Sequence, residues 1–200
     1  MHFNNIKKMT MKKFILLAAI MMASISGFAQ HEPGSLTLQP RIGFSAADFN
    51  NTSDTKARVG IVVGPEFEYT MSNRFSLAFG LNYSQQGCEQ DKLDVKYKMD
   101  YLNIPIVANF YVVKGLALKA GVQPGINLSA KIDPSDAKFD EAVKKFDFSI
   151  PVGISYEFFN FVIDARYNFG VTKLFDLDKV NLDTRNLAFQ LTLGYKFTLF

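Results

Sequence analysis

Ten charged side chains fall on one face of this chain's alternating segments, and they are its main stock of chemistry. Arg41, Arg58, Lys119, Arg166 and Lys196 are cations; Glu66, Glu68, Asp147, Glu157 and Asp164 are anions. If water reached them, the carboxylates of Glu66, Glu68, Glu157 and Asp164 could relay protons or line a solute path. In a dry interior the five cations and five anions must instead pair, because one partner left alone costs ~3–5 kcal/mol. The second reading is adopted: a structural ion network with negligible conductance.

Other chemistry is scarce. The histidines are His2 and His31, both ahead of the alternating segments, so the His–Ser or His–Asp sets of lipid-modifying barrels have no counterpart. Cys88 is the single cysteine and can form no internal disulfide; it is read as an incidental thiol. Asp176 and Asp178 flank Leu177 but lack the glycine and terminal glutamate of a calcium loop. No catalytic residue, cofactor or metal site is therefore assigned, and the chain is read as non-enzymatic.

The elements that carry the charges announce themselves by period. In 186–200 Leu187, Phe189, Leu191, Leu193, Tyr195 and Phe197 alternate with Ala188, Gln190, Thr192, Gly194 and Lys196. The same alternation marks eight strands at 36–46, 57–70, 74–87, 98–113, 115–131, 146–158, 160–173 and 186–199. Tight turns at 70–73, 113–115 and 158–160 face long polar loops at 47–56, 88–97, 132–145 and 174–185. The strand-core charges keep to the polar phase, and aromatics such as Phe67, Phe161 and Tyr195, or Phe44, Tyr167 and Phe169, gather at the two ends of the apolar phase. The expected fold is all-β: an eight-stranded antiparallel up-and-down transmembrane barrel, long loops outside and termini periplasmic. A soluble sandwich burying the same apolar faces is the competing architecture. An eight-strand barrel is just wide enough for its side chains to fill it, with Gly43, Gly60, Gly80, Gly121, Gly153 and Gly194 as spacers.

Two local features qualify this pattern. Pro105, Pro124 and Pro151 stand within strands, where proline cannot donate to the ladder, and predict irregularities of the wall. In one long loop, residues 135–145 read as a short helix. Ser135 caps it, Asp140–Lys144 and Glu141–Lys145 are spaced i,i+4, and Phe139 with Val143 forms an apolar stripe that suits a lid.

An export signal precedes the strands. Lys12 and Lys13 are basic, 14–25 are apolar, and Gly27 and Ala29 are small, placing cleavage between Ala29 and Gln30. The apolar run is short of the ~20 residues a spanning helix needs. The true start is left open among Met1, Met9 and Met11. The organisation is then 1–29 signal peptide, 30–35 periplasmic N-terminal segment and 36–200 barrel. Cleavage removes Lys7, Lys8, Lys12 and Lys13 and no acid, so 22 basic residues become 18 against 19 acidic and the charge moves from +3 to −1. No nucleic-acid partner is implied.

Tyr101-Leu102-Asn103-Ile104-Pro105-Ile106, then 120–131 (AGVQPGINLSAK), then Arg166-Tyr167-Asn168-Phe169-Gly170-Val171 and finally Gly194-Tyr195-Lys196-Phe197 occur in that order and strand phase. Together they resemble the PorT-type outer-membrane β-barrel family over roughly 36–200. The resemblance implies a barrel in the outer membrane of a Gram-negative cell. The family's named member belongs to a protein-secretion system, a role that membership alone does not transfer. The expected function is structural or interactive, through the extracellular loops. An accessory subunit of a secretion or outer-membrane assembly complex, a small channel and a lipid-modifying enzyme are the alternatives. The expected partners are outer-membrane lipids, the barrel-assembly machinery during biogenesis, and a protein that the sequence does not identify.

Overall fold

Strand periodicity becomes a closed sheet in the computed structural model, which describes residues 32–50, 55–90, 95–133, 137–138, 143–173 and 184–200. The strands are β1 (Leu36–Phe49), β2 (Thr55–Ser72), β3 (Phe75–Gly80), β4 (Asn82–Gln90), β5 (Val95–Asn103), β6 (Ile106–Val113), β7 (Leu116–Asp133), β8 (Ala137–Lys138), β9 (Phe146–Phe158), β10 (Phe161–Gly170), β11 (Asn186–Tyr195) and β12 (Phe197–Thr198). Three barrel strands are each interrupted once: β3–β4 at Leu81, β5–β6 at Ile104–Pro105, and β11–β12 at Lys196. Counted as continuous, eight strands form an antiparallel ring. β1 pairs β2 on one side and β11 and β12 on the other, so the sheet closes on itself.

Alternation sets which face is which. Along β11, Asn186, Ala188, Gln190, Thr192 and Gly194 are buried, while Phe189, Leu191, Leu193 and Tyr195 are exposed. The large apolar side chains lie outside, with Ile42 61%, Phe44 64% and Val59 67% exposed. That is the reverse of a soluble sandwich, and it is stable only where the surrounding medium is itself apolar. Rings line the turn end of this exterior in sequence: Phe158–Phe161 centroids are 5.7 Å apart, Phe161–Tyr195 5.1 Å and Tyr195–Phe197 4.8 Å.

Two glycines show what the wall requires. Gly115 sits in the turn between β6 and β7 at φ +78°, a conformation that a side chain disfavours. Gly43 faces the lumen where β1 bends against β11, and a Cβ there would fall 2.0 Å from the Leu191 carbonyl oxygen. Phe159, in the β9–β10 turn, reaches φ +52° without being glycine.

Several expectations change at the loop end. β1 runs on to Phe49 because Asp48 and Phe49 pair with Leu187 and Asn186 of β11, and β2 begins at Thr55 because Thr55 and Lys56 pair with Gln90 and Glu89 of β4. Cys88, expected at a loop, lies in β4 opposite both Ala57 and Tyr97. The 135–145 helix does not pass through Ala137 and Lys138, which pair as strand with Ile132 and Lys131 and satisfy the ladder there. Residues 135–136 and 139–142 lie outside the described residues, as do Asp176, Asp178 and the segment 1–29. At Leu128, Asp100 faces Ser129 while Tyr101 faces Asn127; the extra residue is a bulge. It turns Ala130 inward where strict alternation would have turned Ser129 and Lys131.

The prolines differ from one another. Pro105 marks the β5–β6 interruption, yet Gly80 N–H donates to Pro105 O and Ile104 N–H to Pro124 O, each at 2.9 Å. Pro124 keeps its place opposite Phe148. Pro151 costs the β7–β9 ladder a short gap between Ala120↔Val152 and Gln123↔Ser149, whose offset is unchanged, and it still pairs Asn168 in β10.

Candidate functional site in the barrel lumen

The inward series of β2 carries Glu66 and Glu68, β10 carries Asp164 and Arg166, and β1, β7, β9 and β11–β12 contribute Arg41, Lys119, Glu157 and Lys196. Strand curvature brings these eight together in the half of the lumen nearer the short turns. Glu66 is the hub. Its Oε2 is 3.0 Å from Arg41 Nη1, and its Oε1 is 2.7 Å from Arg166 Nη2 and 3.5 Å from Lys119 Nζ. Asp164 takes Arg166 in a fork, with Nε and Nη2 each donating at 2.8 Å, and also meets Lys119. All five side chains are 3% exposed or less.

A second group lies toward the turns. Lys196 Nζ is 2.8 Å from Glu68 and 2.7 Å from Glu157. Tyr111 and Ser76 both donate to Glu68, and Asn109 donates to Ser76 at 3.1 Å. The first group has one more cation than anions, Arg41, Lys119 and Arg166 against Glu66 and Asp164. The second has one more anion, Glu68 and Glu157 against Lys196. The excesses cancel, which is how eight desolvated charges stay affordable inside one lumen.

Arg58 and Asp147 are not part of this network. Arg58 is buried near the loop end and donates to the Gln86 carbonyl; Asp147 accepts from Thr172. Both sit in the loop half of their strands, beyond reach of the hub. Between the two regions lies a layer of neutral polar groups. Asn82 accepts from Arg41 Nε at 3.2 Å, Asn103 donates to Ser84 at 2.8 Å, and Gln86 donates to Ser84 at 2.6 Å.

Sequence reasoning did not foresee the loop half as apolar. Phe49, Cys88, Met99, Tyr101, Ala130 and Val143 form one buried cluster there, with Tyr97 packed against it. Phe49 and Val143 came from stretches read as loops. The available signal was the inward series of β1, in which Phe49 follows Arg41, Ser45 and Ala47. Val143, read as part of an apolar stripe in the 135–145 loop, is buried in this cluster. Among the described residues no group of His, Cys, Asp and Glu side chains is arranged to hold a metal ion.

The chain can be set beside known proteins on this geometry. Residues 28–176 match the family model described as Outer membrane protein beta-barrel domain. No curated protein matches. Among solved structures, Ail, the attachment invasion locus protein of Yersinia pestis, solved in complex with the heparin analogue sucrose octasulfate, is similar at TM-score 0.54 and 18% identity. The match covers 82% of this chain and 99% of Ail. Neisserial surface protein A follows at TM-score 0.51 and 15% identity, with 81% and 97% covered. At these identities the likeness is one of fold.

Proposed function

The chain belongs to the outer membrane protein beta-barrel domain family, and from that premise we propose that it is a non-enzymatic, non-conducting barrel acting through its loop end. It resides in the outer membrane as a small β-barrel. The support for the finer reading is the lumen: the Glu66 hub and the Glu68–Lys196–Glu157 group fill its turn half with two sets of ion pairs, every side chain of which is 13% exposed or less. A path for solute would have to separate those pairs, at ~3–5 kcal/mol for each partner left alone. Function then falls to the surfaces, a structural or interaction role carried by extracellular loops on a rigid barrel. The PorT-type relationship, cleavage between Ala29 and Gln30, and the assembly machinery and lipids as partners belong to this same reading.

Planar-bilayer recording of the purified, folded barrel tests it. The expected record is a flat baseline across the accessible voltage range. Steps of reproducible size would replace the proposal with a small channel. Crosslinking in native membranes, read by mass spectrometry, then identifies what the loops touch; recovery of secretion or assembly subunits at the turn end alone would move the role to that end.

A further inference from the structure

The first and last strands close the barrel, and their ladder has one gap. β1 pairs β12 at Leu38↔Phe197 and β11 at Arg41↔Gly194, with the same offset on both sides. Gln39 and Pro40 stand between those pairs, across from Lys196 and Tyr195. Lys196 turns its peptide groups away from the seam: its N–H donates to Asn160 O at 2.7 Å, and its carbonyl accepts from Asn160 Nδ2 at 2.9 Å. Successive peptide groups in a strand point to opposite sides, so those of Tyr195 face β1, where Pro40 has no N–H to give.

Over this gap the outer wall is dented. A groove of about 340 Å³ is lined by Pro40, Ile42, Val63, Phe161, Leu193 and Tyr195, with the backbone of Gly194 at its floor. Arg41 also borders it, but the Arg41 guanidinium is committed inward to Glu66. We propose that this groove is a binding site for one phospholipid acyl chain of the surrounding membrane. Its lining is aliphatic and aromatic, and it opens on the face that an outer-membrane barrel presents to hydrocarbon. A chain lying on the flat belt touches protein on one side, whereas a chain in this shallow, open groove also meets the side chains along its edges, and dispersion contacts add accordingly. Phe161 and Tyr195, in edge contact at 5.1 Å, close the groove toward the turn end and fix where the chain's interfacial end lies. The missing donor at Pro40 is what interrupts the seam beneath it. This inference is independent of whether the lumen conducts.

The test is native mass spectrometry of the barrel reconstituted in phosphatidylethanolamine–phosphatidylglycerol vesicles and released in mild detergent. Wild type and a control on the far wall, Leu118→Trp, are expected to retain one phospholipid through activation that strips the rest. Val63→Trp, which fills the groove from its rim, is expected to lose it, and Ile42→Trp serves if Val63→Trp fails to show heat-modifiable migration. Equal retention in the groove variants and wild type, or no retained lipid in wild type, would overturn the site. A dimer mass in wild type that disappears in the groove variants would overturn it too, by making a second copy of the chain the occupant.

Discussion

The two halves of the lumen are filled by opposite means. Near the turns, Glu66, Asp164, Arg41, Lys119 and Arg166 lock side chains from four barrel strands by directional ion pairs. Near the loops, Phe49, Met99, Tyr101, Ala130 and Val143 pack with no such direction. The charged half has one satisfactory arrangement, because each cation must find its anion in a medium that screens little. The apolar half tolerates adjustment, because dispersion and burial depend on contact area more than on angle. The contrast suits a barrel whose turn half fixes strand register and whose loop half seals the mouth.

Three experiments would break or sharpen that contrast. The largest effect is expected for Glu66→Gln, which leaves Arg41, Lys119 and Arg166 facing a single carboxylate and should cost ~3–5 kcal/mol. Urea unfolding in lipid vesicles, followed by heat-modifiable gel migration, measures it. A loss no larger than that of a surface substitution would mean the charged half does not hold the register. Met99→Ala removes the fully buried centre of the apolar cluster and should cost toward the lower end of ~2–5 kcal/mol, since the apolar side chains around it can repack without breaking a directional bond. A Met99→Ala loss equal to that of Glu66→Gln would erase the distinction between the halves. The smallest energetic effect belongs to Cys88, 1% exposed within the cluster. Maleimide should label it slowly in the folded barrel and rapidly after unfolding, and Val143→Ala should raise the folded-state rate by loosening the seal. Fast labelling of folded wild type would show that the loop half is open.

Much of this was legible in the chain because a strand's period is two and a membrane penalises a charge on the wrong phase. Val59, Ile61 and Val63 outside and Arg58, Glu66 and Glu68 inside follow from that rule alone. The alternation stopped being a guide wherever a single residue shifted it. Leu128 is such a residue: the bulge it makes turns Ala130 inward, and nothing local distinguishes it from its neighbours. Phe49 and Val143 were hidden for a different reason. Both belong to polar stretches that read as loops, and their burial depends on Cys88, Met99 and Tyr101 arriving from β4 and β5.

The sequence by itself determined the barrel, which phase of each strand faces inward and the residues that would carry charge there, since these depend on alternation, which is local. Only the tertiary structure decided who pairs with whom. Glu66 lies far along the chain from both Lys119 and Arg166, and ring closure brings all three within contact while leaving Arg58 and Asp147 apart at the other end. Strand register and bulges set how far along the axis each inward side chain lies, and an ion pair is decided by that height to within an ångström or two.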